Sequence, residues 1–215
     1  MVQPSVLRPV TLPASSRGVL DFKLLLPPGW ARIPLDDRAP LRVKQLVDER
    51  TGGVAPEHRQ TLRTAMSAEL TSALRTAADG GGLDMLISLD PVRGMPVPAS
   101  GLITCIRGEQ AGALDALVSA LRSTEADTEV LDMGVVQIAG ADAARRRSVR
   151  THHVPSAGPD LGGGDLRIHQ LDVAVPVPGT PDVLLLSFST PIEPLADALV
   201  QLFDVIAASL RWVRA

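Results

Sequence analysis

Apolar and polar positions along the chain fall into two rhythms that change over at Glu129. Phe22 to Leu26 is an apolar strand candidate closed by Pro27-Pro28-Gly29, and Trp30-Ala31-Arg32-Ile33 alternates as a second short strand would. The Pro-Pro-Gly step between them suits a tight reversal. Leu41 to Arg50 predicts a short helix ended by Gly52-Gly53. A longer helix is predicted from Pro56, whose fixed φ suits a first helical turn, with Glu57 favouring the positive end of the helix dipole. Leu62, Met66, Leu70, Ala73, Leu74 and Ala77 recur at spacings of three and four, the pattern of one buried helix face, before Gly80-Gly81-Gly82 ends the helix. Leu83 to Leu89 and Val97 to Ile106 read as strands joined by a Pro-containing loop, and Leu114, Leu117, Val118 and Leu121 mark a short amphipathic helix.

From Glu129 onward the pattern is that of an antiparallel meander. Glu129–Met133, Val135–Ala139, Ala144–Val154, Leu166–Pro176 and Val183–Ser189 are successive strand candidates with turn residues between them. The last element is a helix. Thr190 and Glu193 stand at capping-box spacing with Pro191 at the first helical position, and Leu195, Leu199, Leu202, Phe203, Ile206 and Leu210 form a stripe that has to be buried on a sheet. The expected architecture is α+β: a single antiparallel sheet flanked by helices as an α/β/α sandwich. Residues 1–18 form an N-terminal extension and 19–215 one domain, since 215 residues do not divide comfortably into two cores.

Composition narrows the function. With aromatic residues at 2% and no tyrosine, the core is built from aliphatic side chains, and the stacking faces used by single-strand nucleic-acid or sugar sites are scarce. A net charge of -3 gives no global attraction to phosphate backbones or anionic lipid, so no nucleic-acid partner is expected. Cys105 is the only cysteine, which excludes an internal disulfide and a multi-thiolate zinc site. Its apolar neighbours Leu102, Ile103 and Ile106 suggest a buried structural thiol. No run approaches the roughly 18 apolar residues of a membrane span. Pro4, Pro9 and Pro13 interrupt the start of the chain, which does not read as a secretory signal, so the expected compartment is the cytoplasm.

The segment Leu26-Pro27-Pro28-Gly29-Trp30 after an N-terminal strand carries a resemblance, together with Leu184 to Pro191 running on to Phe203-Asp204-Val205-Ile206-Ala207-Ala208-Ser209-Leu210-Arg211-Trp212. The chain resembles the superfamily of the photosystem II extrinsic protein PsbP, a Ran-binding nuclear import factor, the actinobacterial LpqN-like proteins and the Eag chaperones of type VI secretion. The resemblance implies a PsbP-like sheet sandwiched by helices and used as a non-enzymatic binding or adaptor module, with no catalytic residues to carry over. LpqN-like proteins are typically exported lipoproteins, and this chain shows no lipobox cysteine near its start.

Candidate chemistry is sparse. His152 and His153 end one strand candidate and His169 lies on the next, but consecutive residues of a strand point to opposite faces, so at most one of the pair reaches His169. Asp165 and Asp172 are the available carboxylates, without HExxH or HxH spacing; no metal and no cofactor are expected. Gly80–Gly82 and Gly162–Gly164 lack the following helix that a phosphate loop needs, and there is no GxSxG nucleophile motif, which leaves Ser187 and Ser189 as polar strand positions. Arg145, Arg146, Arg147 and Arg150 concentrate positive charge on one predicted strand, with Arg146, Ser148, Arg150 and His152 sharing a face. They read either as a charged edge strand that resists sheet-to-sheet aggregation or as a surface for an acidic partner. The expected function is a non-enzymatic protein-binding adaptor or chaperone-like module, the candidate surface being Arg145, Arg146, Arg147, Arg150 and His152. The alternatives are a small-ligand protein or enzyme using a cleft near the 155–165 loop, with His152, His153 and His169 as its polar groups, and a structural subunit that self-associates.

Overall fold

The structure is a computed structural model describing residues 20–89, 97–107, 118, 121, 127–154 and 164–214. Its strands are β1 (Leu20–Lys23), β2 (Trp30–Pro34), β3 (Gly82–Ser88), β4 (Ser100–Ile106), β5 (Thr128–Ile138), β6 (Ala141–Val154), β7 (Gly164–Pro176), β8 (Val183–Thr190) and β9 (Arg211–Arg214). The helices are α1 (Ala39–Thr51), α2 (Pro56–Asp79) and α3 (Ala196–Ala208), and Val118 and Leu121 are also helical. Seven strands form one antiparallel sheet in the order β2-β3-β4-β8-β7-β6-β5, and β1 pairs with β9 in a separate ribbon. The expected α+β class, with an antiparallel sheet between helical layers, is what the chain adopts.

Period-two alternation along the strands sends neighbouring side chains to opposite faces and so supplies two cores. Leu86, Ile103, Leu171, Val173, Leu184, Leu186 and Phe188 meet Phe203, Ile206 and Leu199 of α3 on one face, with Phe22 and Leu24 from the ribbon side. On the other face Met85 and Ile87 of β3 join Ala31 and Ile33 of β2 under α1 and α2. Further along that face Ala144, Ala174 and Val183 pack with Leu121. Phe203 stacks on Phe188 with ring centroids 5.1 Å apart, and Trp30 meets Phe203 edge-on at 6.2 Å. Gly101 makes that stack possible, because a Cβ there would come within 2.8 Å of the Phe188 ring.

Four local expectations are corrected. Pro27 to Gly29 does not reverse the chain into a hairpin, since β1 pairs with β9 and β2 with β3. The candidates Glu129–Met133 and Val135–Ala139 are one strand, β5, carrying a register shift between Val130 and Asp132; Gly134 stays extended opposite Arg145. The turn comes at Ala139-Gly140, both at positive φ, as a tight hairpin requires. The capping box does not form either. Thr190 Oγ1 donates to the Pro98 carbonyl at 2.9 Å and accepts from the Ile192 N–H, while Glu193 opens a 3-10 turn and pairs with Arg167. On α2, Leu74 is buried, Met66 and Leu70 are partly buried, and Leu62 is exposed. Leu114 and Leu117 lie outside the described residues.

Candidate functional site

The β5–β6 hairpin carries the arginines singled out from the sequence, and alternation divides them between the two sheet faces. Arg145 and Arg147 lie on the α3 side. Arg145 forks onto Asp204 of α3 at 2.7 and 2.8 Å and reaches Asp132 of β5 at 2.6 Å, and Arg147 donates to Asp197 in the first turn of α3. Arg146 lies on the opposite side, gripping Asp172 of β7 and donating to the Leu121 carbonyl at 2.7 Å. These three guanidiniums thus hold α3, β5, β7 and the helical turn at Leu121 to β6. Arg145 meets both oxygens of Asp204 in the planar fork that suits arginine to carboxylate recognition, whereas Arg146 places two N–H groups on one oxygen of Asp172 and Arg147 makes a single bond. Asp204 and Asp132 hold the Arg145 guanidinium above its ordinary pKa, and the Arg147 hydrogen bond holds the Asp197 carboxyl below its own. Arg150 is half-buried opposite Thr128 of β5, and His152 is exposed opposite Leu166 of β7.

The histidines are not brought together. His153 Nδ1 lies 3.0 Å from Asp165 on the exposed surface, and His152 points to the other face. His169 stands opposite Val149, four residues or roughly 13 Å along the strand from the His153 pair. It is buried under the start of α3, and neither ring nitrogen meets a hydrogen-bond partner among the described residues. Burial depresses its pKa; Glu193 and Asp197 oppose that, while Arg167 and Arg147 reinforce it. Among the described residues no group of three His, Cys, Asp or Glu side chains is placed to hold a metal ion. Cys105 is half-buried against the α3-side core, where burial pushes the thiol up, away from the thiolate needed for nucleophilic chemistry. Residues 155–163, most of the loop over the expected cleft, lie outside the described residues.

Sequence reasoning missed two features. One is a buried ion pair, Arg32 to Asp84 at 2.8 and 2.7 Å, with the Arg32 guanidinium 5.0 Å from the centre of the Phe22 ring. Burial raises the Asp84 pKa and Arg32 holds it back. Alternation alone places Arg32 and Asp84 on the α3 side, but their pairing depends on β2 lying beside β3. A cleft of about 540 Å³ is the other, lined by Gln137, Ala139, Gly140, Ala208, Arg211 and Trp212 at the turn end of the hairpin, opposite to the end where the loop was expected to cover one.

The outer strand of this hairpin is β5, which ends the seven-stranded sheet among the described residues. It is 11 residues long and exposes Val130 by 39%, Leu131 by 44% and Val135 by 49%. Such an edge offers unpaired backbone groups beside apolar side chains, the requirements for pairing with another chain.

No family model matches the chain, and no curated protein matches it in sequence. Among solved structures, LpqN, involved in cell envelope biogenesis of Mycobacterium tuberculosis, is similar over 96% of this chain and 90% of its own, with a TM-score of 0.51 and 14% identity. This likeness is one of fold. It agrees with the LpqN-like part of the resemblance seen in the sequence, and no family match supports the wider PsbP-like superfamily. TplEi, a T6SS immunity protein of Pseudomonas aeruginosa, aligns over 62% of this chain and 46% of its own, with a TM-score of 0.36 and 16% identity.

Proposed function

We propose that the chain is a non-enzymatic protein-binding module of the PsbP-like type, resident in the cytoplasm, that takes its partner along the β5 edge of its sheet. The observation that carries this reading is the 11-residue edge strand with Val130, Leu131 and Val135 exposed. Arg145, Arg146 and Arg147 serve this edge indirectly: their carboxylate partners hold β6 rigid and leave little unmatched positive charge. Arg150 and His152, at the far end of β6, supply the polar rim of the surface. A rigid edge of this kind binds an extended segment through backbone hydrogen bonds, with side-chain contacts giving selectivity.

The test is affinity capture from the native cell, with partners identified by mass spectrometry, using wild type and the Leu131→Lys/Val135→Lys double variant. Loss of the captured protein with an unchanged far-UV spectrum is expected, and a smaller loss for Arg150→Gln/His152→Ala. Capture undiminished by the edge lysines would remove β5 from the binding surface.

A further inference from the structure

The cleft at the turn end of the β5–β6 hairpin lies beside two cations without an acidic partner. Its lining, Gln137, Ala139, Gly140, Ala208, Arg211 and Trp212, comes from the hairpin, the end of α3 and the start of β9. Arg211 stands directly opposite Lys23 on the β1–β9 ribbon, and both are exposed. Opposed residues of an antiparallel pair put their side chains on one face with Cβ atoms roughly 5 Å apart, and like charges so placed repel. Among the described residues no carboxylate pairs with either cation. An anion between them would turn that repulsion into attraction.

Arg211 is also preorganised. Its Nη1 donates to the Ala208 carbonyl at 3.0 Å and to the Leu210 carbonyl at 2.6 Å, which ties the guanidinium to the end of α3 and offsets the negative end of that helix. Nε and Nη2 meet no acceptor among the described residues, and such a pair of N–H groups seats two oxygens of one anion. The backbone N–H groups of Ala139 and Gly140, both residues at positive φ, donate no hydrogen bond among the described residues either. Asp142 stands opposite Gln137 but accepts from the Gln137 amide and is not part of the lining.

Two adjacent cations with free donors select a group whose oxygens accept and whose charge is near two, which is a phosphate monoester. The cleft, at about 540 Å³, is of the size that takes a small organic molecule, and Trp212 in its wall offers the organic part an apolar face. We propose that this cleft binds a small phosphorylated organic molecule, its phosphate held between Lys23 and Arg211 and its organic part laid against Trp212. The site does not depend on what pairs with the β5 edge.

Titration calorimetry of the full chain with phenyl phosphate, inorganic phosphate and phenol tests it, with emission followed in parallel in Trp30→Phe, which leaves Trp212 as the single indole. Phenyl phosphate should bind at one site at least about tenfold tighter than inorganic phosphate, shift the Trp212 emission and lose affinity as salt rises. Phenol should not bind. Lys23→Gln and Arg211→Gln should each weaken phenyl phosphate binding about tenfold with unchanged far-UV spectra. Because Arg211 also caps α3, Lys23→Gln is the deciding variant should Arg211→Gln unfold. No heat with phenyl phosphate, an affinity unmoved by Lys23→Gln, or phenol binding as tightly would each overturn the proposal. Inorganic phosphate binding as tightly as its phenyl ester would overturn the organic part of the assignment. Binding to vesicles containing phosphatidic acid without binding to phenyl phosphate would overturn the soluble ligand in favour of a lipid headgroup.

Discussion

Helix α3 buries Ala196, Leu199, Val200, Phe203, Ile206 and Ala207 within 13 residues, whereas α2, at 24 residues, buries Leu74. Both carry apolar residues at spacings of three and four, so the spacing does not set the burial. Position does. α3 crosses the middle of the sheet over β7 and β8, where bulky side chains from both layers meet. α2 lies at the β2–β3 end, partly over α1, and its first half is fixed by polar contacts, Arg59 to the Val54 carbonyl and Arg63 to Asp48. Its stripe is also weaker in substance, because alanines fill positions where α3 has Leu, Val, Ile and Phe.

This comparison can be broken first at Phe203. Phe203→Ala removes a fully buried ring stacked on Phe188 and should lower stability by about 3–5 kcal/mol, read from the urea midpoint at constant slope. A midpoint close to wild type would mean that α3 is not the central packing element. Leu74→Ala should cost about 2–3 kcal/mol, the largest loss on α2, because that residue alone on the helix reaches the α1–β2–β3 core in full.

A third effect is intermediate and belongs to the start of α3, where His169 sits neutral. Its folded pKa lies below the ordinary 6.5, so no stability is lost above pH 6.5. As pH falls below that value and through the depressed folded pKa, the unfolded chain takes the proton preferentially and stability declines. Burial is the main cause that disfavours the charged ring; the Arg167 and Arg147 guanidiniums add to it, and the Glu193 and Asp197 carboxylates work against it. Urea midpoints at pH 7.5 and 5.5 should fall for wild type and change less for His169→Leu; a wild-type midpoint that rises toward pH 5.5 would contradict the assignment. Smallest of all, Leu62→Gln on the exposed side of α2 should change stability by no more than about 0.5 kcal/mol. A loss of the size expected for Leu74→Ala would mean that the first half of α2 is covered.

The candidate site was legible only in part. Arg145 to Arg147 stood out as a charge concentration, yet their carboxylates come from β5, β7 and α3, at 13 to 59 positions along the chain. A strand read alone shows which side chains share a face but not what the neighbouring strand or overlying helix sets against them. For the same reason the two halves of β5 were separated at Gly134, which has no side chain to continue the alternation and is held extended by its pairing with β6.

What the sequence determined by itself were the features governed by local physics: period-two strands, the helix start at Pro56, glycine stops and the apolar stripe of α3. The partition into a seven-stranded sheet and a β1–β9 ribbon was decided by the tertiary structure, because strand partners are chosen by which faces can be buried together. So were the neutralisation of the arginines and the exposure of β5. An arginine on a strand is the same residue whether a carboxylate or water faces it, and a valine at the sheet's edge differs from one at its centre only by what lies beside it.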